Sequence, residues 1–113
     1  MIMDCVFCRI IKKEIPSEFV YEGEEIVAFK DIEPIAPIHF LIVPKKHIPS
    51  VDHLSGNDKT LIGELVLVAQ ELAKKYKVDE NGYRLVFNVG KGAGQSVEHL
   101  HLHLLGGRKL SWV

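Results

Sequence analysis

The sequence has 113 residues, of which 47% are hydrophobic and 26% are charged, and this length fits a single domain spanning residues 1–113. Its 14 Lys and Arg residues and 15 Asp and Glu residues give a net charge of -1, which argues against a nucleic-acid partner. No apolar run is long enough to cross a bilayer and the N-terminus does not resemble a secretory signal. We therefore expect a cytoplasmic protein with no membrane partner.

The N-terminal third predicts one short helix followed by strands. Residues 5–13 (CVFCRIIKK) favour a short helix, and Phe19–Tyr21 and Glu25–Lys30 predict two strands joined by a turn. Two prolines prevent regular structure across residues 31–37. Ile38–Val43 (IHFLIV) then has the composition of a central strand.

A long helix is predicted from Asn57 or Asp58 to about Tyr76. Apolar residues recur there at steps of three or four, which predicts one face packed on a core. Ser55 or Asn57 can cap the start of this helix, and lysines near its end suit the helix dipole.

Two further strands are predicted after the helix, at Tyr83–Val89 and at Glu98–Leu105. Because the strands are close in sequence and only two helices are predicted, the fold class is α+β. We expect an antiparallel sheet with both helices packed on one face.

The predicted last strand carries the strongest chemical signal, since residues 99–105 read His-Leu-His-Leu-His-Leu-Leu. In an extended strand, alternate residues share a face and lie about 6.6–6.8 Å apart. The leucines should therefore enter the core, and His99, His101 and His103 should form an exposed or cleft-facing stripe. Three aligned imidazoles indicate a bound ligand or metal, and a solvated polar strand face is the alternative.

A glycine-rich segment, Gly90-Lys-Gly-Ala-Gly-Gln-Ser96, lies directly before the histidines. Its spacing matches neither a dinucleotide-binding fingerprint nor a P-loop. Glycines allow backbone N–H groups to approach an anion closely, so the segment is either an anion cradle or a mobile hairpin.

Cys5 and Cys8 form a C-x-x-C pair. In a reducing compartment this spacing indicates either half of a zinc site or a redox pair. No βαβ pattern surrounds the pair, which weakens the thioredoxin-like interpretation.

The run Gln95-Ser-Val-Glu-His-Leu-His-Leu-His-Leu-Leu-Gly-Gly-Arg108 resembles the signature of the histidine-triad (HIT) family. More narrowly, it resembles the nucleotide-binding, purine nucleoside phosphoramidase branch. The segments Ala36–His47 and Tyr83–Gly90 agree, so that the resemblance extends from about Cys5 to Trp112. It implies a five-stranded antiparallel sheet with one long and one short helix, extended across a homodimer.

The resemblance also implies roles for individual residues. His101 would attack the α-phosphorus of a purine nucleotide, with its ring oriented by the main-chain carbonyl of His99. His103 and His39 would bind phosphate oxygens, and Asp31 would hold the ribose hydroxyls. The other implied nucleotide-binding residues are Phe7, Ile10, Phe29 and Ile32 on the base and ribose side, and Asn88, Gly94, Gln95, Ser96 and Val97 on the phosphate side.

Two further features follow from the resemblance. In bacterial-type members the two cysteines join two histidines, so Cys5, Cys8, His47 and His99 are expected to bind a structural zinc ion, with no catalytic metal. Trp112 matches an aromatic residue that reaches towards the partner's site.

The expected activity is hydrolysis of purine nucleoside phosphoramidates or related nucleotides through a nucleotidyl-His101 intermediate. Hydrolysis of dinucleoside polyphosphates is the nearest alternative, and non-enzymatic nucleotide binding is another. A third is a metal hydrolase in which His99, His101 and His103 hold a catalytic zinc ion that activates water.

Overall fold

A five-stranded sheet organises the chain in this computed structural model, which describes residues 5–112. All the strand pairs are antiparallel, in the order β1-β2-β3-β5-β4. The predicted sheet, with one long and one short helix, is confirmed. The elements in chain order are α1 Val6–Ile11, β1 Phe19–Glu22, β2 Ile26–Lys30, β3 Ile38–Pro44, α2 Lys59–Lys75, β4 Tyr83–Val86 and β5 Leu102–Gly106.

The two helices lie on opposite faces of the sheet, which corrects the expectation that both pack on one face. α2 covers the face that carries Ala28, Phe40 and Leu104. α1 covers the other face through Phe7 and Ile10. The residues they meet on that second face are Val27, Phe29, Leu41 and Val43.

Strand β3 is central, as predicted, and its burial explains its composition. Residues 39–44 are all buried, because successive side chains point to opposite faces and each face is covered by a helix. A strand buried on both sides reads as a continuous apolar run. His39 is the exception in this run, and it faces the same side as Leu41.

The start of α2 differs slightly from the prediction. Gly56–Asp58 form a 3₁₀ turn, and the α-helix begins at Lys59. Ser55 caps this turn: its hydroxyl oxygen accepts from the Asn57 N–H at 3.3 Å, and its own N–H donates to Asp58 Oδ2 at 2.9 Å. The hydrogen bond from the Ser55 N–H and the Lys46 ammonium hold the pKa of Asp58 below its usual value.

Both predicted C-terminal strands are shorter than expected. β4 ends at Val86, and residues 87–101 leave the sheet before β5 begins. Gly90 turns the chain with φ 84°, and the Leu100 N–H donates to Ile48 O at 2.6 Å instead of to a neighbouring strand. His99 and His101 therefore lie in the segment that leads into β5 and not within the strand.

Neither helix of the described residues has the length and apolar content needed to cross a bilayer.

Candidate functional site

The three histidines of residues 99–103 all turn away from α2, as the alternation predicts. The intervening leucines enter the core beneath α2: Leu100, Leu102 and Leu104. Of the two predicted placements, exposed or cleft-facing, full exposure does not hold for two of the three, since His99 is 0% and His101 is 5% exposed, while His103 is half-buried. The rings are buried because α1 covers this part of the sheet.

The ring of His101 has a defined hydrogen position. Its Nδ1 lies 2.7 Å from the main-chain oxygen of His99, and a carbonyl oxygen can only accept. Nδ1 therefore carries the hydrogen, and Nε2 keeps a lone pair. Phe7 packs edge-on against this ring, with centroids 5.0 Å apart at 90°. Burial lowers the pKa of His101, so the ring is neutral and nucleophilic at neutral pH.

His39 and His103 form a directed hydrogen-bond chain. The Ile35 N–H donates to His39 Nδ1 at 3.2 Å, so a neutral His39 carries its hydrogen on Nε2. That Nε2 lies 2.9 Å from His103 Nδ1, which must accept. His103 consequently carries its own hydrogen on Nε2. Burial lowers the pKa of His39 and lowers that of His103 to about 4, so both rings are neutral at pH 7.

Asp31 contacts this chain as well. Its Oδ2 lies 3.3 Å from His39 Nε2, and its Oδ1 accepts from the Glu33 N–H at 2.8 Å. Its own N–H donates to His39 O at 3.0 Å, which ties the loop of residues 31–37 to β3. The role predicted for Asp31 at a ribose stays a prediction, and the observed contacts assign it to orienting His39.

The glycine-rich loop is stiffened from within. The Asn88 Nδ2 group donates to Ala93 O at 2.8 Å, across the 3₁₀ turn Lys91–Ala93. Gly94 has φ 91°, and a Cβ there would lie 3.2 Å from Asn88 Nδ2. The loop is thus a turn closed by a side-chain hydrogen bond, and its Ser96 side chain is exposed to solvent.

Gln95 supports this loop with its side chain, although it was predicted to contact nucleotide. The Gln95 amide donates to Pro49 O at 2.7 Å and to Val97 O at 3.0 Å. Its Oε1 accepts from the Gly90 N–H at 2.8 Å. Each polar atom of the side chain already has a partner within the protein, so the side chain holds the loop and offers no free donor.

The predicted base-binding residues divide into two environments. Phe7, Ile10 and Phe29 are buried together in the core beneath α1, and Val97 packs against its edge. The Phe7 and Phe29 rings meet edge-on with centroids 5.5 Å apart. Ile32 is 89% exposed, as an apolar side chain would be at the rim of an open site.

Cys5, Cys8, His47 and His99, which we call the cysteine–histidine cluster, converge as predicted. His99 Nδ1 lies 3.3 Å from Cys5 Sγ, 3.6 Å from Cys8 Sγ and 3.1 Å from His47 Nδ1. Cys8 Sγ lies 3.5 Å from His47 Nδ1. A tetrahedral zinc ion with Cys and His ligands requires ligand–ligand separations of about 3.3–3.8 Å.

The hydrogen bonding of His99 also suits a metal ligand. Its Nε2 lies 2.8 Å from Pro44 O, so Nε2 carries the hydrogen and Nδ1 presents a lone pair to the cysteines. Burial lowers the pKa of His99 to about 4, and burial raises the pKa of Cys8 to about 11. Both cysteines are free thiols, and metal binding would therefore release protons from them.

Asp31, His39 and His103, which we call the aspartate–histidine cluster, are also close enough to share a metal ion. The positions of the ring hydrogens in this cluster do not suit a bound metal ion. The nitrogen of His39 that faces the cluster carries a hydrogen, because its other nitrogen accepts from Ile35. The cluster is built to donate hydrogen bonds.

The three triad histidines have three different sets of partners, so they do not converge on one metal ion. Neither metal-sized group of side chains found within residues 5–112 contains more than one of them. This arrangement disfavours the alternative of a catalytic zinc ion held by the triad.

Trp112 is 87% exposed at the end of the described chain. Its predicted reach towards a partner's site stays a prediction.

Sequence reasoning missed the backbone groups of Pro44 and Ile35 and the side chain of Arg108, which bonds to Ile35 O at 2.7 Å. Only the presence of Arg108 at the end of the His-Leu alternation could have drawn attention to it.

Comparison with known proteins places the chain among close relatives. A profile of the HIT domain matches residues 12–110, a range that includes His39 and the triad but begins after the cysteines. An uncharacterised HIT-like protein of Buchnera aphidicola subsp. Baizongia pistaciae is 48% identical over 106 residues, which cover 94% of this chain and 95% of that protein.

Two solved structures are similar throughout. A HIT family hydrolase from Legionella pneumophila Philadelphia 1 is 49% identical with a TM-score of 0.95, and the match covers 96% of this chain and 97% of that one. A histidine triad nucleotide-binding protein from Candida albicans is 35% identical with a TM-score of 0.83, covering 97% and 83%.

Proposed function

The chain belongs to the HIT domain family, and from this premise we propose that it hydrolyses nucleotides at the α-phosphate, with His101 as the nucleophile. One observation carries the proposal. The 2.7 Å bond from His101 Nδ1 to the His99 carbonyl leaves the lone pair of Nε2 available to attack phosphorus. The names of the Legionella and Candida relatives, a hydrolase and a nucleotide-binding protein, agree with it.

The proposed substrates are purine nucleoside phosphoramidates. Nε2 of His101 attacks the α-phosphorus, and the phosphorus–nitrogen bond to the leaving amine breaks as that nitrogen takes a proton. Water then attacks the nucleotidyl-histidine, which releases nucleoside monophosphate and restores the neutral ring. Splitting one displacement into two steps is the advantage of covalent catalysis.

The aspartate–histidine cluster would stabilise the charge that develops on the phosphate oxygens. His103 carries its hydrogen on Nε2 because His39 donates to its Nδ1. A preorganised N–H donor of this kind is worth most in a water-excluded site. The Ser96 hydroxyl and the Asn88 amide would contact the phosphate or the leaving group.

We further propose that Cys5, Cys8, His47 and His99 hold a structural zinc ion. Bound there, the ion would tie α1 to the segment before β5 and would take no part in the chemistry. His99 then serves twice, since its ring is a ligand and its carbonyl orients His101. Phe7, between the two cysteines, would be held against the His101 ring by the same ligation.

A homodimer is proposed for the functional protein. β4 lies at the edge of the sheet, where a second copy can pair with it. On the surface of α2, Val66 and Leu67 are exposed apolar side chains.

A rapid-quench reaction with adenosine phosphoramidate, followed by measurement of the intact protein mass, tests the proposed function. We expect a transient mass increase of one adenylyl group in the wild-type protein and none in His101→Gly. Turnover without any adduct would contradict covalent catalysis, and binding without turnover would favour the nucleotide-binding alternative. Assaying dinucleoside polyphosphates in parallel separates the two hydrolase activities.

A further inference from the structure

Arg108 connects the end of β5 to the loop of residues 31–37. Its guanidinium donates to Ile35 O at 2.7 Å and to Lys109 O at 2.9 Å. Gly107 permits this approach, since it has φ 93° and a Cβ there would lie 2.9 Å from Pro37 Cβ. The second half of the loop is therefore held from the far end of the active-site strand.

Ile35 has hydrogen bonds in two directions. Its carbonyl accepts from Arg108, and its N–H donates to His39 Nδ1 at 3.2 Å. Its side chain is 63% exposed, so apolar packing contributes little to its position. The bonds of Asp31 to His39 hold the beginning of the loop and do not reach Ile35. The guanidinium contact thus restrains the main chain of the residue that orients His39, together with the buried Ala36 beside it.

We propose that Arg108 is a positioning residue for the reaction, acting through Ile35 and His39 on His103. By holding Ile35 it keeps the His39 hydrogen on Nε2, and this keeps His103 as an N–H donor towards the phosphate. This inference rests on the proposed function, because it assigns a purpose to the hydrogen of His103.

Loss of the guanidinium would allow the hydrogen bond between His39 and His103 to reverse its direction. Without the Ile35 N–H, the Asp31 carboxylate at 3.3 Å still favours a hydrogen on Nε2, but a fraction of His39 can carry its hydrogen on Nδ1 and donate to water. Its Nε2 then accepts from His103 Nδ1, and His103 presents a bare Nε2 to an anionic oxygen. Because the contact lies at the surface, where water competes, we expect a loss of about tenfold in kcat.

Steady-state kinetics of Arg108→Gln with adenosine phosphoramidate provide the first test. We expect kcat to fall about tenfold with KM changed less than about twofold, because the lost donor acts on charge that develops in the transition state. Lys109→Gln is the matched control, since it removes a neighbouring positive charge but keeps the main-chain acceptor. Arg108→Lys should restore part of kcat. Equal losses in Arg108→Gln and Lys109→Gln would overturn the inference.

A double-mutant cycle tests whether Arg108 acts through His39. In a His39→Asn background, Arg108→Gln should lower kcat by less than about twofold, since the ring it positions is gone. A further tenfold loss in that background would show that Arg108 acts elsewhere, and it would overturn the inference.

The ¹⁵N spectrum of histidine-labelled protein tests the same claim without turnover. We expect His39 to be protonated on Nε2 in the wild type and Lys109→Gln, and to shift towards Nδ1 protonation in Arg108→Gln. An unchanged His39 pattern in Arg108→Gln overturns the inference. If the wild type turned over no nucleotide, the proposed function would fail, and this spectrum would still decide whether Arg108 positions His39.

Discussion

The cysteine–histidine cluster and the aspartate–histidine cluster are similar in size but opposite in chemistry. In the first, the His99 ring donates to the Pro44 carbonyl and turns a bare nitrogen towards the cysteines. In the second, the His39 ring accepts from the Ile35 N–H and turns a hydrogen towards His103. A backbone group outside each cluster therefore decides whether it suits a cation or an anion.

His101 lies between these two environments. Its ring is 4.9 Å from that of His103, and its Nδ1 is fixed by the carbonyl of the metal-side residue His99. Under the proposed function, one cluster would position the nucleophile and the other would provide donors for the phosphate. Substitutions in the aspartate–histidine cluster should therefore affect turnover, whereas substitutions in the cysteine–histidine cluster should affect metal content.

The largest effect is expected from His101→Gly, which removes the nucleophile. Turnover should fall by at least about 10³-fold, because no other described side chain presents a lone pair in the same place. Zinc content and thermal stability should change little by comparison. Activity assays and metal analysis of the same preparation check this, and near-wild-type turnover would exclude the covalent mechanism.

Removing the metal should have the next largest effect. Cys8→Ser, or chelation of the wild type, should lower the free energy of unfolding by about 4 kcal/mol, the value for a ligand at about a thousand times its Kd. Denaturant unfolding combined with metal analysis measures this. Asp31→Asn is the control, since it alters the other cluster and should keep one zinc ion per chain. Loss of zinc from Asp31→Asn would mean that the metal binds at the aspartate–histidine cluster and not at the cysteine–histidine cluster.

His103→Ala should reduce kcat by about 10²-fold while retaining zinc, because it removes one donor to the developing charge. His53→Ala is the matched control, since His53 is an exposed histidine that bonds to Ser50 Oγ at 2.9 Å. Kinetics of the two variants decide the matter: similar turnover in both would remove His103 from the phosphate site.

Acid should destabilise the aspartate–histidine cluster by a smaller amount. Burial lowers the pKa of His103 to about 4, whereas an unfolded histidine titrates near pH 6.5. The unfolded state then binds more protons, and the contribution of His103 is present above pH 6.5 and lost as the pH falls towards 4. Between pH 7.5 and 5 we expect a loss of about 1–2 kcal/mol.

Urea unfolding of zinc-loaded wild type and His103→Ala at both pH values isolates this contribution. The variant should lose less stability on acidification than the wild type does. Equal losses would mean that His103 is already accessible to protons in the folded protein.

Sequence patterns predicted the sheet and the long helix, because alternation and periodicity express which side chains share a face, whereas the members of both clusters were implied by the resemblance to the HIT family. The His-Leu alternation located the triad even though His99 and His101 lie outside β5. The cysteine spacing, with the family resemblance, indicated the metal ligands that the structure brings together.

Other features could not be read from the sequence because backbone atoms produce them. The carbonyl of Pro44 and the N–H of Ile35 decide the chemistry of the two clusters, and any residue type has a backbone carbonyl. The placement of α1 opposite α2 has a different cause, because the sequence does carry a sign of it. The continuous apolar run of β3 was the available sign that both faces are covered, and it was interpreted only as a central strand.

The hydrogen positions of the four buried or half-buried histidines test the central claim most directly. In ¹⁵N spectra of histidine-labelled protein at pH 7, we predict His101 to be protonated on Nδ1 with a bare Nε2. His39, His99 and His103 should instead be protonated on Nε2. A hydrogen on Nε2 of His101 would remove the lone pair that attacks phosphorus and would contradict the account.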